Sequence, residues 1–326
     1  MAAAVNDPDE LKIWAEKYRP HGLSDVIDQK HAVERIKAFV AAKNVPHMLF
    51  AGPAGVGKTT VALAVAHDLY GKDVHGNVLE LNASNERGID VIRNKVKEFA
   101  RTRTMSSIGY RLIILDEADA LTSDAQNALR RTMETYASVS RFILICNWSS
   151  KIIDPIQSRC AVFRFHGLAA DDQKKFLERI EKGEKLSVDS SAKDAIIYLA
   201  EGDLRKIANL AQSAASAKKK ITEELVYEIA SRAKPVDVKL MLELALAGNF
   251  AAARKKLQDL LFMQGLSGQD IMREMHRQLD SVKADERTKA ELASKVGEYE
   301  FRISQGGSDL VQLEAFLAQL SLCAKR

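Results

Sequence analysis

The stretch Gly52-Pro53-Ala54-Gly55-Val56-Gly57-Lys58-Thr59-Thr60 decides how the rest of the chain is read. It matches the phosphate-cradling loop G-x-x-x-x-G-K-[ST], in which glycines let backbone N–H groups turn inward around a β-phosphate. Lys58 can then reach the β- and γ-phosphates, and the Thr59 hydroxyl can hold Mg²⁺. The flanks fit the motif. Met48-Leu49-Phe50-Ala51 reads as a buried strand before the loop, and Thr60–Ala66 continues as an apolar helix after it. Strand, loop and helix in that order are what a nucleotide-phosphate site needs.

Working outward, the first half alternates apolar strand-like runs with helical patterns. The strands are expected at His47–Ala51, Val78–Asn82, Arg111–Asp116, Arg141–Cys146 and Ala161–Phe165. Helices are expected at Lys58–Tyr70, Ile89–Arg101, Ser123–Tyr136 and, briefly, Pro155–Ser158. Such alternation predicts an α/β core, a parallel sheet covered by helices on both faces. Right-handed crossovers put the loops that follow the strands along one edge, so the phosphate loop, Asp116 and Asn147 should converge.

After His166-Gly167 the strand pattern stops. Short helices are expected near Asp171–Gly183, Ser190–Glu201, Leu204–Ala217 and Thr222–Ala230. Ala233-Lys234-Pro235 interrupts them, and the remainder is helical with breaks at Gly248-Asn249, Gly265–Gly268, Lys283–Asp285 and Gly306-Gly307. The division is therefore 1–167, a nucleotide-binding core; 168–234, a small helical domain; and 235–326, an all-α domain.

Composition narrows the class. Of 326 residues, 46% are hydrophobic and 28% charged, with apolar runs too short to span a bilayer. The beginning, Met1–Asp7, lacks the basic and apolar regions of a secretory signal. Cys146, Cys160 and Cys323 show neither metal spacing nor an even disulfide framework, so a reducing, intracellular setting without zinc is expected. A net charge of +4 is too small to imply nucleic acid, which leaves that argument to local clusters.

Leu112-Ile113-Ile114-Leu115-Asp116-Glu117 is the second nucleotide-site signature. Asp116 at the strand tip can join the Mg²⁺ shell opposite Thr59, and Glu117 is then placed to polarise an attacking water, which points to hydrolysis. Asn147, after Phe142–Cys146, is an amide able to orient that water. Cys160 reads as a packed small residue, since no His or acid accompanies it.

Several boxes carry a family resemblance. Trp14-Ala15-Glu16-Lys17-Tyr18-Arg19-Pro20 resembles the opening box of replication factor C subunits. Leu81–Ile89 is similar to another, with Asn85 where Asp is common; Asp116-Glu117-Ala118-Asp119 and Gln126–Glu134 follow, then Ser158-Arg159-Cys160 and Gly202-Asp203-Leu204-Arg205, with Leu204 where Met is usual. The resemblance covers residues 14–209; beyond 235 it rests on length and helicity. It implies a small subunit of an archaeal-type AAA+ clamp loader: an ATPase using ATP and Mg²⁺ beside a large subunit and further small-subunit copies. Such a ring opens a PCNA sliding clamp and loads it on primer–template DNA in the cytoplasm, at the nucleoid, with no membrane contact. The helical domains become a lid, 168–234, and an oligomerising collar, 235–326. Tyr18, Arg19 and Pro20 would border the adenine, Arg205 would reach the γ-phosphate from the lid, and Arg159 would act in trans on a neighbour's ATP. Arg87, Arg93 and Lys151 would track the DNA backbone, in a region where Arg87, Arg93, Lys95, Lys97, Arg101, Arg103 and Arg111 outnumber Glu86, Asp90 and Glu98. Met133–Tyr136 would be near the clamp contact. The competing expectations are a nucleotide-binding ring member with little hydrolysis, or another AAA+ DNA motor; no helix-turn-helix or winged-helix pattern after 235 supports the latter.

Overall fold

A computed structural model describes residues 13–85, 89–217, 220–282 and 284–323. Arg87, assigned to DNA from the sequence, lies outside them. The chain divides into two compact units, one comprising 1–187 and 196–216, the other 188–195 and 217–326.

The first unit holds a five-stranded, wholly parallel sheet: β1 (Met48–Ala51), β2 (Val78–Asn82), β3 (Arg111–Asp116), β4 (Ser140–Cys146) and β5 (Ala161–Arg164). Their order across the sheet is β2-β3-β4-β1-β5. The expected strands are all present, displaced by no more than a residue at an end. Their apolar runs are continuous because both faces are covered. Met48, Phe50, Leu112, Ile114, Ile143 and Ile145 point into one core, while Leu49, Ile113, Leu115, Phe142 and Leu144 point into the other. The period of two in a strand sorts one run between two cores.

The first of these cores includes the helix Lys58–Tyr70 and a helix the sequence reading did not identify, Lys30–Ala41, which buries Ala32, Val33 and Ile36. The other includes Ile89–Arg101 and Ser123–Thr135; the former is interrupted by a π-helical turn over Ile92–Val96. Thr122 caps the latter by accepting the Ala125 N–H at 3.3 Å. Chain direction at the sheet's middle decides where a ligand sits. The crossover after β1 runs to the far edge at β2, and β4 returns beside β1, so the switch point lies at the C-terminal ends of β1 and β4.

The second unit is helical. Pro235–Leu246, Phe250–Gln258, Gly268–Gln278, Glu286–Ser304 and Asp309–Cys323 surround a core that includes Met241, Leu257, Met272, Tyr299 and Phe316. The breaks follow cap chemistry. Pro235 occupies the first turn of its helix, where its missing N–H has no partner to lose. Gly248 takes φ +78 after one helix, and Asn249 then caps the next by accepting the Ala252 N–H. Ser267 and Asp285 cap their helices in the same way. Among the described residues no helix is long and apolar enough to cross a membrane.

Candidate active site

Register brings the sequence signatures to one edge. Ala51, the last residue before the loop, pairs with Cys146, the residue before Asn147. On β2 and β3, Asn82 pairs with Asp116. The cleft at this edge is lined by Tyr18, Arg19, Pro20, Ala54, Gly55, Gly57, Lys58, Thr59, Thr60, Asn82, Asp116, Glu117, Asn147 and Arg205, with Ala15, Phe176 and Leu204 among the apolar contributors. Three expected loop residues are not in the lining. Gly52 and Pro53 turn their carbonyls to Lys58, and Val56 is buried in the core below.

Lys58 is only 7% exposed, and its ammonium donates to Gly52 O at 2.7 Å, Pro53 O at 2.6 Å and Asn147 Oδ1 at 3.0 Å. Burial pushes it below the usual lysine range and Arg205 pushes the same way, while the Asp116 and Asp119 carboxylates oppose them. Thr59 Oγ1 donates to Asp116 Oδ2 at 2.7 Å, which joins the phosphate loop to the tip of β3. The other Asp116 oxygen accepts the Glu117 N–H at 2.8 Å. Glu117 itself has φ +52, a left-handed backbone uncommon for such a side chain and often found at functional positions. Its carboxylate is exposed beside the cleft. A hydroxyl and a carboxylate so close form an all-oxygen donor pair suited to a hydrated Mg²⁺, which keeps several waters and takes few protein ligands.

Three residues do structural work that the sequence reading passed over. Asp119 Oδ2 accepts the N–H groups of Asn147 and Trp148, each at 3.2 Å, and so holds the turn that presents the Asn147 amide. Asp203 Oδ1 accepts the Arg205 N–H at 2.8 Å and the Lys206 N–H at 3.2 Å, capping the helix Leu204–Ser216 beside the phosphate loop. The Leu204 N–H donates to Gly55 O at 3.1 Å. Asn82 stands in the cleft wall beside Asp116, its own Oδ1 accepting from Ser84. An acid three residues after Asp116 and another just before a helix start were visible signals for the first two.

Burial, reinforced by Asp119 and opposed by Lys58, pushes the Cys146 thiol up to about 12. Burial alone does the same for Cys160, up to about 12. Among the described residues no group of three or more His, Cys, Asp and Glu side chains is arranged to hold a metal ion.

Arg159 does not line this cleft. Its guanidinium donates to Pro155 O at 2.6 Å and pairs with Glu134 Oε1 at 2.5 Å, where Arg130 also lies at 3.4 Å. Arg93 is exposed in the π-helical turn and lines a separate groove with Lys97 and Arg131; Tyr136, in the suggested clamp-contact stretch, borders the same groove. Lys151 is exposed in the short turn Ser149–Lys151 and is not part of that lining.

With this geometry in view, known proteins offer two levels of comparison. Residues 48–168 match the family "ATPase family associated with various cellular activities (AAA)", and residues 233–319 match "Replication factor C C-terminal domain". The chain is 52% identical to a replication factor C small subunit from Thermofilum pendens, over 97% of this chain and 98% of that one. It is likewise 52% identical to one from Sulfolobus acidocaldarius, over 98% of each, and 49% identical to one from Methanococcus vannielii, over 95% and 99%. A solved structure of the Thermotoga maritima RuvB Holliday junction branch migration motor shares the fold alone: TM-score 0.54, 17% identity, 76% of this chain and 88% of that one.

Proposed function

The chain belongs to the replication factor C small-subunit family, and on that premise we propose that it is an ATPase subunit of a clamp loader. In this reading, ATP binding and hydrolysis open a PCNA sliding clamp and load it on primer–template DNA. The observation that carries the hydrolytic part is the meeting of Lys58, Thr59, Asp116 and Asn147 through direct hydrogen bonds at the ends of β1, β3 and β4.

The roles follow from charge. Lys58, drawn by stronger acceptors than its own loop carbonyls, binds the β- and γ-phosphates, and the backbone N–H groups of residues 52–60 complete the cradle. Thr59 and Asp116 would hold Mg²⁺, which when bound supplies positive charge to the phosphate oxygens. Asn147 orients the attacking water, and Glu117 takes its proton as the new P–O bond forms and the bond to the ADP oxygen breaks. Arg205 answers the γ-phosphate from the N-terminus of its helix. Tyr18, Arg19 and Pro20 border the adenine. Arg159, paired with Glu134 and absent from this chain's own cleft, suits action on a neighbouring subunit's nucleotide.

The functional division is 1–167 for the ATPase core, 168–234 for the lid and 235–326 for the collar. Partners are the large subunit, other copies of the small subunit, PCNA and the DNA backbone, contacted through Arg87, Arg93 and Lys151. Its work on DNA puts it inside the cell, at the nucleoid.

The test is the ATPase rate of the assembled complex with clamp, with primed DNA and with both. Both together should stimulate most. Arg159→Ala should leave ATP binding near normal and cut turnover about 10³-fold or more. Full-rate hydrolysis by the isolated chain, unchanged by Arg159→Ala, would refute the role in trans.

A further inference from the structure

Tyr18 is 9% exposed, yet it lines the cleft together with Phe176 and Pro20. A buried phenol needs a partner for its hydroxyl. The Tyr18 O–H donates to Glu184 Oε1 at 2.8 Å, and the same carboxylate oxygen receives Lys17 Nζ at 2.8 Å. Glu184 is the last residue of the helix Ala170–Glu184, so one acid joins that helix to two consecutive residues of the N-terminal segment.

Gly183, just before it, has no helical reason to be glycine, since alanine is the better helix former. Its reason is space. A Cβ there would lie 2.1 Å from the Tyr18 hydroxyl oxygen and 2.9 Å from Cζ, so the phenol end of the ring occupies the volume a side chain would need. The other end of the segment is tied as well: the Trp14 N–H donates to Gln212 Oε1 at 2.9 Å, on the helix whose first turn carries Arg205. Burial, then the hydrogen bond and charge of Glu184, push the Tyr18 phenol up to about 12, which keeps it a donor.

We propose that Glu184 and Gly183 are positioning residues that set the Tyr18 ring as a wall of the base pocket, coupling nucleobase binding to the helix Ala170–Glu184. The proposal rests on the nucleotide-binding reading of the cleft and adds a division of labour to it. The loop around Lys58 holds the triphosphate, and the Tyr18 wall holds an aromatic base through a contact maintained by a different helix. Loss of the Glu184 contact should therefore weaken only the base-dependent part of binding.

The experiment uses the full chain and two probes with Mg²⁺: ATP, and inorganic tripolyphosphate, which has no base. Glu184→Ala should bind ATP about tenfold more weakly while tripolyphosphate affinity stays within twofold of wild type. In hydrolysis by the assembled complex, KM should rise with kcat nearly unchanged. Glu184→Gln, which keeps an acceptor for the phenol, should restore most of the ATP affinity. Gly183→Ala should also weaken ATP selectively, because its Cβ displaces the phenol from Glu184. Equal losses for both probes, or ATP affinity within twofold of wild type in Glu184→Ala and Gly183→Ala, would overturn the proposal alone. Wild type that bound neither probe would overturn the nucleotide reading and this inference with it.

Discussion

Replacing Gly55 with alanine should damage the site through Asp203. Gly55 has φ +71, a left-handed backbone that costs other residues roughly 1–2 kcal/mol. The new Cβ would also fall 1.8 Å from Asp203 Oδ1 and 2.0 Å from its Cγ, so the carboxylate must leave. That carboxylate caps the helix Leu204–Ser216, and losing such a cap costs about 0.5–2 kcal/mol. The expected destabilisation is roughly 1.5–4 kcal/mol, and ATP affinity should fall with it, because Arg205 sits in the uncapped turn. A double-mutant cycle with Asp203→Ala isolates the cause. Once the carboxylate is gone, Gly55→Ala should cost only its backbone part, so the two substitutions should couple by about 0.5–2 kcal/mol. Urea unfolding followed by tryptophan fluorescence reads this directly, since Trp14 and Trp148 are the chain's two tryptophans and both lie in the first unit. Additivity within about 0.3 kcal/mol would refute the argument.

Two further outcomes follow from the same geometry. His47 accepts the Phe142 N–H at Nδ1 and is pushed down to about 4, chiefly by burial, with the Arg141 charge adding and a Met133 backbone contact opposing. Below its unfolded pKa near 6.5 the unfolded chain takes up a proton that the folded chain refuses, so stability should fall as pH drops from 6.5 towards 4, by up to about 3 kcal/mol. His47→Gln, which keeps an acceptor but does not titrate, should flatten this dependence in urea melts at a series of pH values; an unchanged slope would count against it. In the assembled complex, Arg93→Ala should weaken DNA binding at every sequence and reduce the slope of log affinity against log salt by about 0.9. An unaltered slope in a fluorescence-anisotropy titration would remove Arg93 from the DNA interface.

The strands were legible because a parallel strand buried on both faces has to be a run of apolar residues, and each such run here is bounded by a loop. The helical breaks at Gly248-Asn249 and Pro235 were legible because left-handed glycines, asparagine caps and first-turn prolines act through their own backbone. The helix Lys30–Ala41 was missed for the complementary reason. Its cap residue is Gln29, in a left-handed conformation and with no side-chain cap hydrogen bond, so the start of its short apolar stripe is not marked at the cap position.

At the site, the sequence by itself determined the chemistry on offer: a phosphate loop, a carboxylate pair at a strand tip, an amide and arginines at motif positions. These are local requirements, each met within a few residues. The order of strands and loops already placed the phosphate loop, Asp116 and Asn147 along one edge; only the tertiary structure decided which atoms meet there. The β1–β4 pairing puts Asn147 on Lys58, and β3 puts Asp116 on Thr59. It also gave two glycines their reasons. The loop motif leaves Gly55 free, though its left-handed φ of +71 favours glycine, and the helix around Gly183 does not ask for one. At both positions a side chain far away in sequence, Asp203 or Tyr18, approaches so closely that it leaves no room for a Cβ. Steric exclusion between distant segments has no signature in a local pattern, so it becomes visible only when the chain is folded.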